Sequence, residues 1–347
     1  MRQGIFFGVV GLFTLVAAFA HFFTTHQIFQ FVSASAAIIV LAAWLGKATE
    51  SVAHYAGDRI GGFLNATFGN AAELIISYFL VKEGLFEMVK ASITGAIIGN
   101  LLLVLGLSVL CGGIKYKEQQ FNAKLAGHNA SLLVLAIASL FIPAVFMFEL
   151  SPQRTETLSI IIAVLLIVAY VLWLIFSMVT HKDFLTDLDP EESQAPWSKG
   201  VSILMLALAT ICVAIVSEWL VHGVQHLSNS FGWSELFVGA FVIAIIGNAA
   251  EHSAAVLLAI KGRIGGSVEI AIGSSLQIAL FVAPTLVLIS LFFGTPMDIV
   301  FTLYELAAII AAVFITISIT RDGATNWYEG VLLLTVYIIL GAAFFFA

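Results

Sequence analysis

Gly69-Asn70-Ala71-Ala72-Glu73-Leu74-Ile75 sits in the middle of an apolar run, and its first five residues return as Gly247-Asn248-Ala249-Ala250-Glu251. Each copy places an amide and a carboxylate well inside a stretch long enough to cross a bilayer, which takes roughly 20 apolar residues. An ionised carboxylate in hydrocarbon costs at least about 2.5 kcal/mol on insertion scales. Each Glu must therefore be protonated, paired or bound to a cation. No Lys or Arg lies deep in a span to neutralise either one. A cation or a proton is what remains.

The rest of the chain fits a membrane setting. It has 347 residues, 61% hydrophobic and only 10% charged, against about 25% charged in ordinary soluble domains. Its net charge is -7, and it carries no basic cluster or nucleic-acid motif, so nucleic acid is excluded as a partner. Cys111 and Cys212 are too few for a disulfide framework or a multi-cysteine metal site. Hydropathy predicts eleven helices, at about 4–23, 28–46, 61–81, 92–114, 121–148, 158–180, 200–221, 235–260, 268–293, 299–319 and 328–346. The first run is read as a retained helix, since no clear cleavage site precedes a soluble region. With the N-terminal side called A, the Lys and Arg residues divide 11 on side A to 3 (Lys82, Lys90, Arg154) on side B. The positive-inside rule makes side A cytoplasmic. The expectation is a multi-pass protein of the cell membrane with its N-terminus inside and its C-terminus outside.

The two motif copies fall in the third and eighth helices, so they cross the membrane in opposite directions. More pairs follow in the same order. Glu50-x-x-x-His54 corresponds to Glu218-x-x-x-His222, and Ala96-Ile97-Ile98-Gly99-Asn100 to Ile270-Ala271-Ile272-Gly273-Ser274. Inverted repeats are the plan of many secondary transporters, whose ion sites lie near the midplane where the repeats meet. The expected division is a leading helix at 1–27, a five-helix repeat at 28–180, an acidic cytoplasmic linker at 181–199 and a second five-helix repeat at 200–347. A homo-oligomer is compatible with this plan.

The chemistry of the motifs suits a hard cation. Asn70 and Glu73 are three residues apart and share a helix face, as do Asn248 and Glu251. Calcium takes six to eight oxygens in flexible geometry. Two bidentate carboxylates and two amide carbonyls supply six. Asn100, Ser274, Ser275 and Gln277 add polar oxygens as second-tier ligands. Gly69, Gly247, Gly99 and Gly273 are expected to loosen their helices and free backbone carbonyls. Carboxylates without cysteines favour calcium over zinc or copper. A carboxyl group removed from water favours its neutral form, and a second carboxylate nearby favours it further. Protons then replace the cation when it leaves. Packing is the competing reading for Asn70, Asn248 and the second-tier residues.

At these residues the chain resembles the calcium/proton exchanger (CAX) family of the calcium/cation antiporter superfamily. The likeness rests on both Gly-Asn-Ala-Ala-Glu segments, on Gly273-Ser274-Ser275-x-Gln277-Ile278-Ala279, and on the order of helices and linker. It implies Glu73 and Glu251 as the central ligands and proton-driven export of cytosolic calcium by alternating access, with no cofactor beyond the transported Ca2+ and H+. The sodium/calcium branch is similar in plan but typically carries Gly-Thr-Ser segments. Gly-Asn-Ala-Ala-Glu in both places argues for protons as counter-ion. A sodium-coupled transporter, another divalent cation transporter and a channel stay open as alternatives.

Glu50 and Glu218 end matching helices near opposite faces. With His54 and His222 one turn further on, they are candidates for ion entrances or a proton relay, against a plain interfacial role. The acids Asp183, Asp187, Asp189, Glu191 and Glu192 of the linker could gather calcium or simply be solvated. An enzyme is excluded for want of a His-Glu-x-x-His run or of paired intramembrane Asp residues.

Overall fold

The computed structural model describes residues 3–146, 149–180 and 196–347, the side chains of residues 58 and 59 aside. The expected acidic linker acids lie outside these residues. The protein is an all-α membrane protein, and eleven spans account for nearly all of the described chain. They are α1 Gln3–Phe23, α2 Gln27–Gly57, the broken α3 (Ile60–Phe68 with Ala71–Lys82), α4 Phe86–Tyr116, α5 Ala123–Phe146 and α6 Pro152–Thr180. They continue as α7 Lys199–Phe231, α8 Glu235–Ile260, α9 Ile264–Phe293, α10 Leu303–Thr320 and α11 Trp327–Phe346. The backbone groups of such spans have no water to bond to, so helices that satisfy themselves are the outcome expected in lipid.

The count of eleven agrees with hydropathy, but some ends do not. Helix α2 runs on from the expected 46 to Gly57, and α7 from 221 to Phe231. The α2 extension holds Lys47, Glu50 and His54, and the α7 extension His222, Gln225 and His226, polar residues at which a hydropathy reading stops. Gly57 takes φ +79, a left-handed turn that glycine adopts without strain, and it lets the chain reverse into α3. At 31 and 33 residues the two helices are longer than a bilayer needs, and they lie along one another as the longest helix pair of the fold.

Two short strands, β1 Glu118–Gln120 and β2 Ala324–Asn326, pair antiparallel with Gln119 opposite Thr325. They join the α4–α5 connection to the α10–α11 connection. Six spans separate these connections, so both must lie on one face, which is side A by the same parity. Lys115 Nζ and Tyr116 Oη also donate to the Ile260 carbonyl at the end of α8 (2.8 and 3.2 Å). One face is thus stitched across both halves of the chain.

The centre is packed through small residues, as helix pairs in membranes often are. Where α4 crosses the start of α8, a Cβ on Gly95 would run into the Ala240 carbonyl. One on Gly239 would lie 2.7 Å from both the Met88 carbonyl and Ala91 Cβ. Large apolar side chains such as Leu15, Leu165, Leu204, Phe314 and Ile338 point outward, where acyl chains replace solvent.

Candidate functional site

The first motif copy sits at a break. Helix α3 bends by 45° between Phe68 and Ala71, and Asn70 leaves helical geometry at φ -93, ψ 16. The second copy lies inside α8 with no break. Gly247 belongs to the continuous helix Ala244–Ile260, and Gly273 likewise to Ile264–Gln277. The expectation that all four glycines interrupt their helices is therefore corrected. Gly69 stands at a bend, and Gly99 opens a wide π-helical turn, Gly99–Val104. Gly247 and Gly273 stay helical.

What Gly247 supplies instead is room. A Cβ there would lie 3.2 Å from Glu73 Cγ, and one on Gly69 would lie 3.2 Å from Glu251 Oε1. Each glutamate thus packs over the glycine of the other motif, and the two carboxylates are electrostatic neighbours. Wide turns flank the site in three helices, at Gly99–Val104, Val238–Ile243 and Ile278–Val282. Single π-type turns inside α-helices recur at functional sites, and each of these begins or ends within a turn or so of a motif residue.

The polar atoms here fall into two sets. The amide nitrogens of the two motif asparagines are used: Asn70 Nδ2 donates to Gln277 Oε1, and Asn248 Nδ2 donates to the Ala244 carbonyl at 2.9 Å. The Ser274 hydroxyl lies beside the Glu251 carboxylate. The oxygens are not used. Asn70 Oδ1, Asn248 Oδ1, Asn100 Oδ1, Glu251 Oε2 and both Glu73 oxygens are buried, with no partner on another described residue. Buried polar atoms in native proteins are overwhelmingly paired. A concentrated set of acceptors without donors is a place where a cation or protons belong.

The second-tier residues divide. Asn100 is fully buried and entirely unpartnered. Gln277 orients Asn70, and Ser274 touches Glu251. Ser275 donates to Ala271 and approaches the Ile97 carbonyl (2.8 and 3.5 Å), tying α9 to α4. Glu50 and His54 are exposed at the end of α2. Glu218 is no free group: Lys82 Nζ lies 3.0 Å from its carboxylate. His222 is exposed one turn beyond it.

Access to the two glutamates is unequal. A cavity of about 560 Å3 leads from Lys47 and Glu50 past Gly69 and Gly247 to Glu251 and Ser274. A second, of about 530 Å3, reaches Glu251 from Arg263 and Glu269 and is also lined by Asn65 and Gln277. Both start from the connections of side A. Glu73 lines neither and is only 7% exposed. Asn65 and Glu269 were not singled out from sequence, although Asn65 stands one helical turn before Gly69. Also overlooked was a charged cluster towards side B in which Lys90 and Glu305 are buried. There Lys90 meets Glu87 and Asp298 (2.8 and 3.4 Å), and Glu305 caps its own helix with Thr302. Its Thr302-x-x-Glu305 spacing was a readable signal of a helix start.

Comparison with known proteins places these features in a family. The family model described as sodium/calcium exchanger protein matches residues 26–179 and 201–346. The chain is 50% identical over 313 residues to the Ca(2+)/H(+) antiporter ChaA of Bacillus subtilis, covering 89% of each chain. It is 43% identical to a Ca(2+)/H(+) antiporter of Aphanothece halophytica, over 99% of this chain and 97% of that one. The solved structure of native YfkE superposes with a TM-score of 0.87 at 44% identity, over 99% of this chain and 100% of that one.

Proposed function

The chain belongs to the sodium/calcium exchanger protein family, and from that premise we propose that it exchanges cytosolic Ca2+ for external H+ by alternating access. One observation carries the reading: buried oxygens of Glu73, Glu251, Asn70 and Asn248, without partners among the other described residues, gather where the two motifs interlock. Their number suits the coordination of calcium. Their charge suits it too, because two carboxylates balance one divalent ion. Two protons neutralise the same pair.

That equivalence is the coupling. The loaded site and the protonated site are both neutral, and either can be sealed from water. The empty, doubly charged site faces a large desolvation penalty if it is sealed. Reorientation is thus restricted to the two neutral forms, and calcium crosses only in return for protons.

The inverted plan, 28–180 against 200–347, supplies two conformations of one architecture. With side A cytoplasmic by the positive-inside rule, the cavities leading to Glu251 make the present conformation open to the cytoplasm. Calcium enters past Glu50 and reaches Glu251 first. The Asn nitrogens are held by Gln277 and Ala244, so both amide oxygens face the ion without a search among rotamers.

The test uses the purified full-length chain in sealed vesicles. An outward-directed proton gradient should drive calcium uptake without sodium, and a protonophore should abolish it. The family description names sodium, so the competing outcome is uptake that demands a sodium gradient and ignores pH. That result would move the chain to sodium coupling.

A further inference from the structure

On side B an ion pair joins the two halves of the chain. Lys82, the last residue of α3, lies 3.0 Å from Glu218 of α7. Glu218 is the repeat counterpart of Glu50, each followed by His at the fourth position. Glu50 sits at the open end of the side A cavity. Lys82 has a counterpart as well: it follows Glu73 by nine residues, and Lys261 follows Glu251 by ten, at the end of α8. Neither Glu50 nor Lys261 has an ion-pair partner among the described residues.

The geometry of the open cavity tells where these two would go. Gly46 and Glu50 of α2 face Ala254 and Leu257 of α8 across it. Glu50 is one turn beyond Gly46, and Lys261 one turn beyond Leu257, both towards side A. Drawing α2 against α8 to close the cavity brings the carboxylate towards the ammonium. We infer that Lys82–Glu218 and Glu50–Lys261 are alternating gate latches: the first closes side B while side A is open, and the second closes side A when the first is released.

This inference rests on the alternating-access reading and adds the residues that hold each closed state. Both latches use one residue from each half of the chain, so neither survives a change in how the halves sit. Lys82 and Glu218 are about two-fifths exposed, and an exposed pair shifts an equilibrium by only about two- to five-fold. That suits a latch, which must open in every cycle.

Cysteine pairs test it in the full-length protein in sealed vesicles, in a Cys111→Ala/Cys212→Ala background shown to retain uptake. Lys82→Cys/Glu218→Cys and Glu50→Cys/Lys261→Cys should each form a reducible cross-link that stops calcium uptake, and reductant should restore it. A further cysteine at Ala254, on the wall of the open cavity, reads the trapped state. It should react with a hydrophilic thiol reagent when the first pair is linked and be shielded when the second is linked. Failure of residues 50 and 261 to link, or uptake continuing through either link, overturns the inference. The charge exchange Lys82→Glu/Glu218→Lys should recover most of the uptake lost by Lys82→Glu alone; no recovery also counts against it. A protein that links in this reciprocal way but moves no calcium against protons would contradict the proposed function and leave the latches standing.

Discussion

The two Gly-Asn-Ala-Ala-Glu segments are identical in sequence and different in structure. The first lies at a 45° bend, and its glutamate is sealed. The second lies in an unbroken helix, and its glutamate borders two cavities that begin on one face. Identical residues in unlike surroundings show that the local sequence does not set the conformation; its position relative to the other half does. On the proposed alternating-access reading, exchanging the two environments would convert one access state into the other.

The largest expected effect comes from removing either charge. Glu73→Gln and Glu251→Gln keep size and some hydrogen bonding but leave one carboxylate, which balances one proton and not a divalent ion. Both should lower proton-driven calcium uptake in vesicles by at least about a hundred-fold, since each removes a buried charge from its bound partner. Equal losses would mean that the sealed and open glutamates do the same work in turn. A Glu73→Gln protein with near-normal uptake would reduce Glu73 to a packing group and break the comparison.

The glycines separate the copies next. A Cβ on Gly69 would press on the Asn65 carbonyl at 2.8 Å as well as on Glu251 Oε1 at 3.2 Å, whereas one on Gly247 meets the side chain of Glu73 alone. Backbone cannot yield as a side chain can. Gly69→Ala should therefore impair calcium uptake about ten-fold or more, and Gly247→Ala by less, with overpacking of about 1–3 kcal/mol at the tighter site. The reverse order would show that the bend at Gly69 relaxes more readily than Glu73 does.

Much of this was legible beforehand because the membrane restricts the options. Apolar runs gave eleven spans, and the repeated Asn and Glu pointed to the candidate site, since polar groups inside hydrocarbon have few structural uses. Gly247 and Gly273 stay helical against expectation, and at Gly247 the reason is visible: a glycine that bends a helix and one that admits a neighbour look alike in one dimension. The Lys82–Glu218 pair joins residues in different halves of the chain, and no local pattern announces it. Hydropathy ended α2 and α7 early, at the polar residues that the helices carry past the apolar zone.

A distant substitution should distinguish the two asparagines. Asn70 is oriented from outside its helix by Gln277 of α9, while Asn248 is oriented by its own helix through Ala244. Gln277→Leu removes the acceptor for Asn70 Nδ2 and leaves a buried donor unpaired, which costs about 1–3 kcal/mol. The half-saturating calcium concentration should rise by about five- to a hundred-fold, with the helical content of the protein unchanged by circular dichroism. No shift would mean that Asn70 is held by something other than Gln277.

The smallest effect is expected at Ser274, whose hydroxyl lies beside the Glu251 carboxylate. Glu251 borders both cavities and Ser274 lines them with it. In Ser274→Ala, water entering from side A can take over whatever the hydroxyl offers Glu251. A charge-assisted bond is worth about 1.5–3 kcal/mol when nothing replaces it, and a replaceable one much less. The half-saturating calcium concentration should therefore rise only about three-fold, well short of the change for Gln277→Leu. A hundred-fold rise would make the hydroxyl a direct calcium ligand. The ion would then sit nearer α9, on the Glu251 side of the pair, and the inequality between the two motifs would extend to how each holds it.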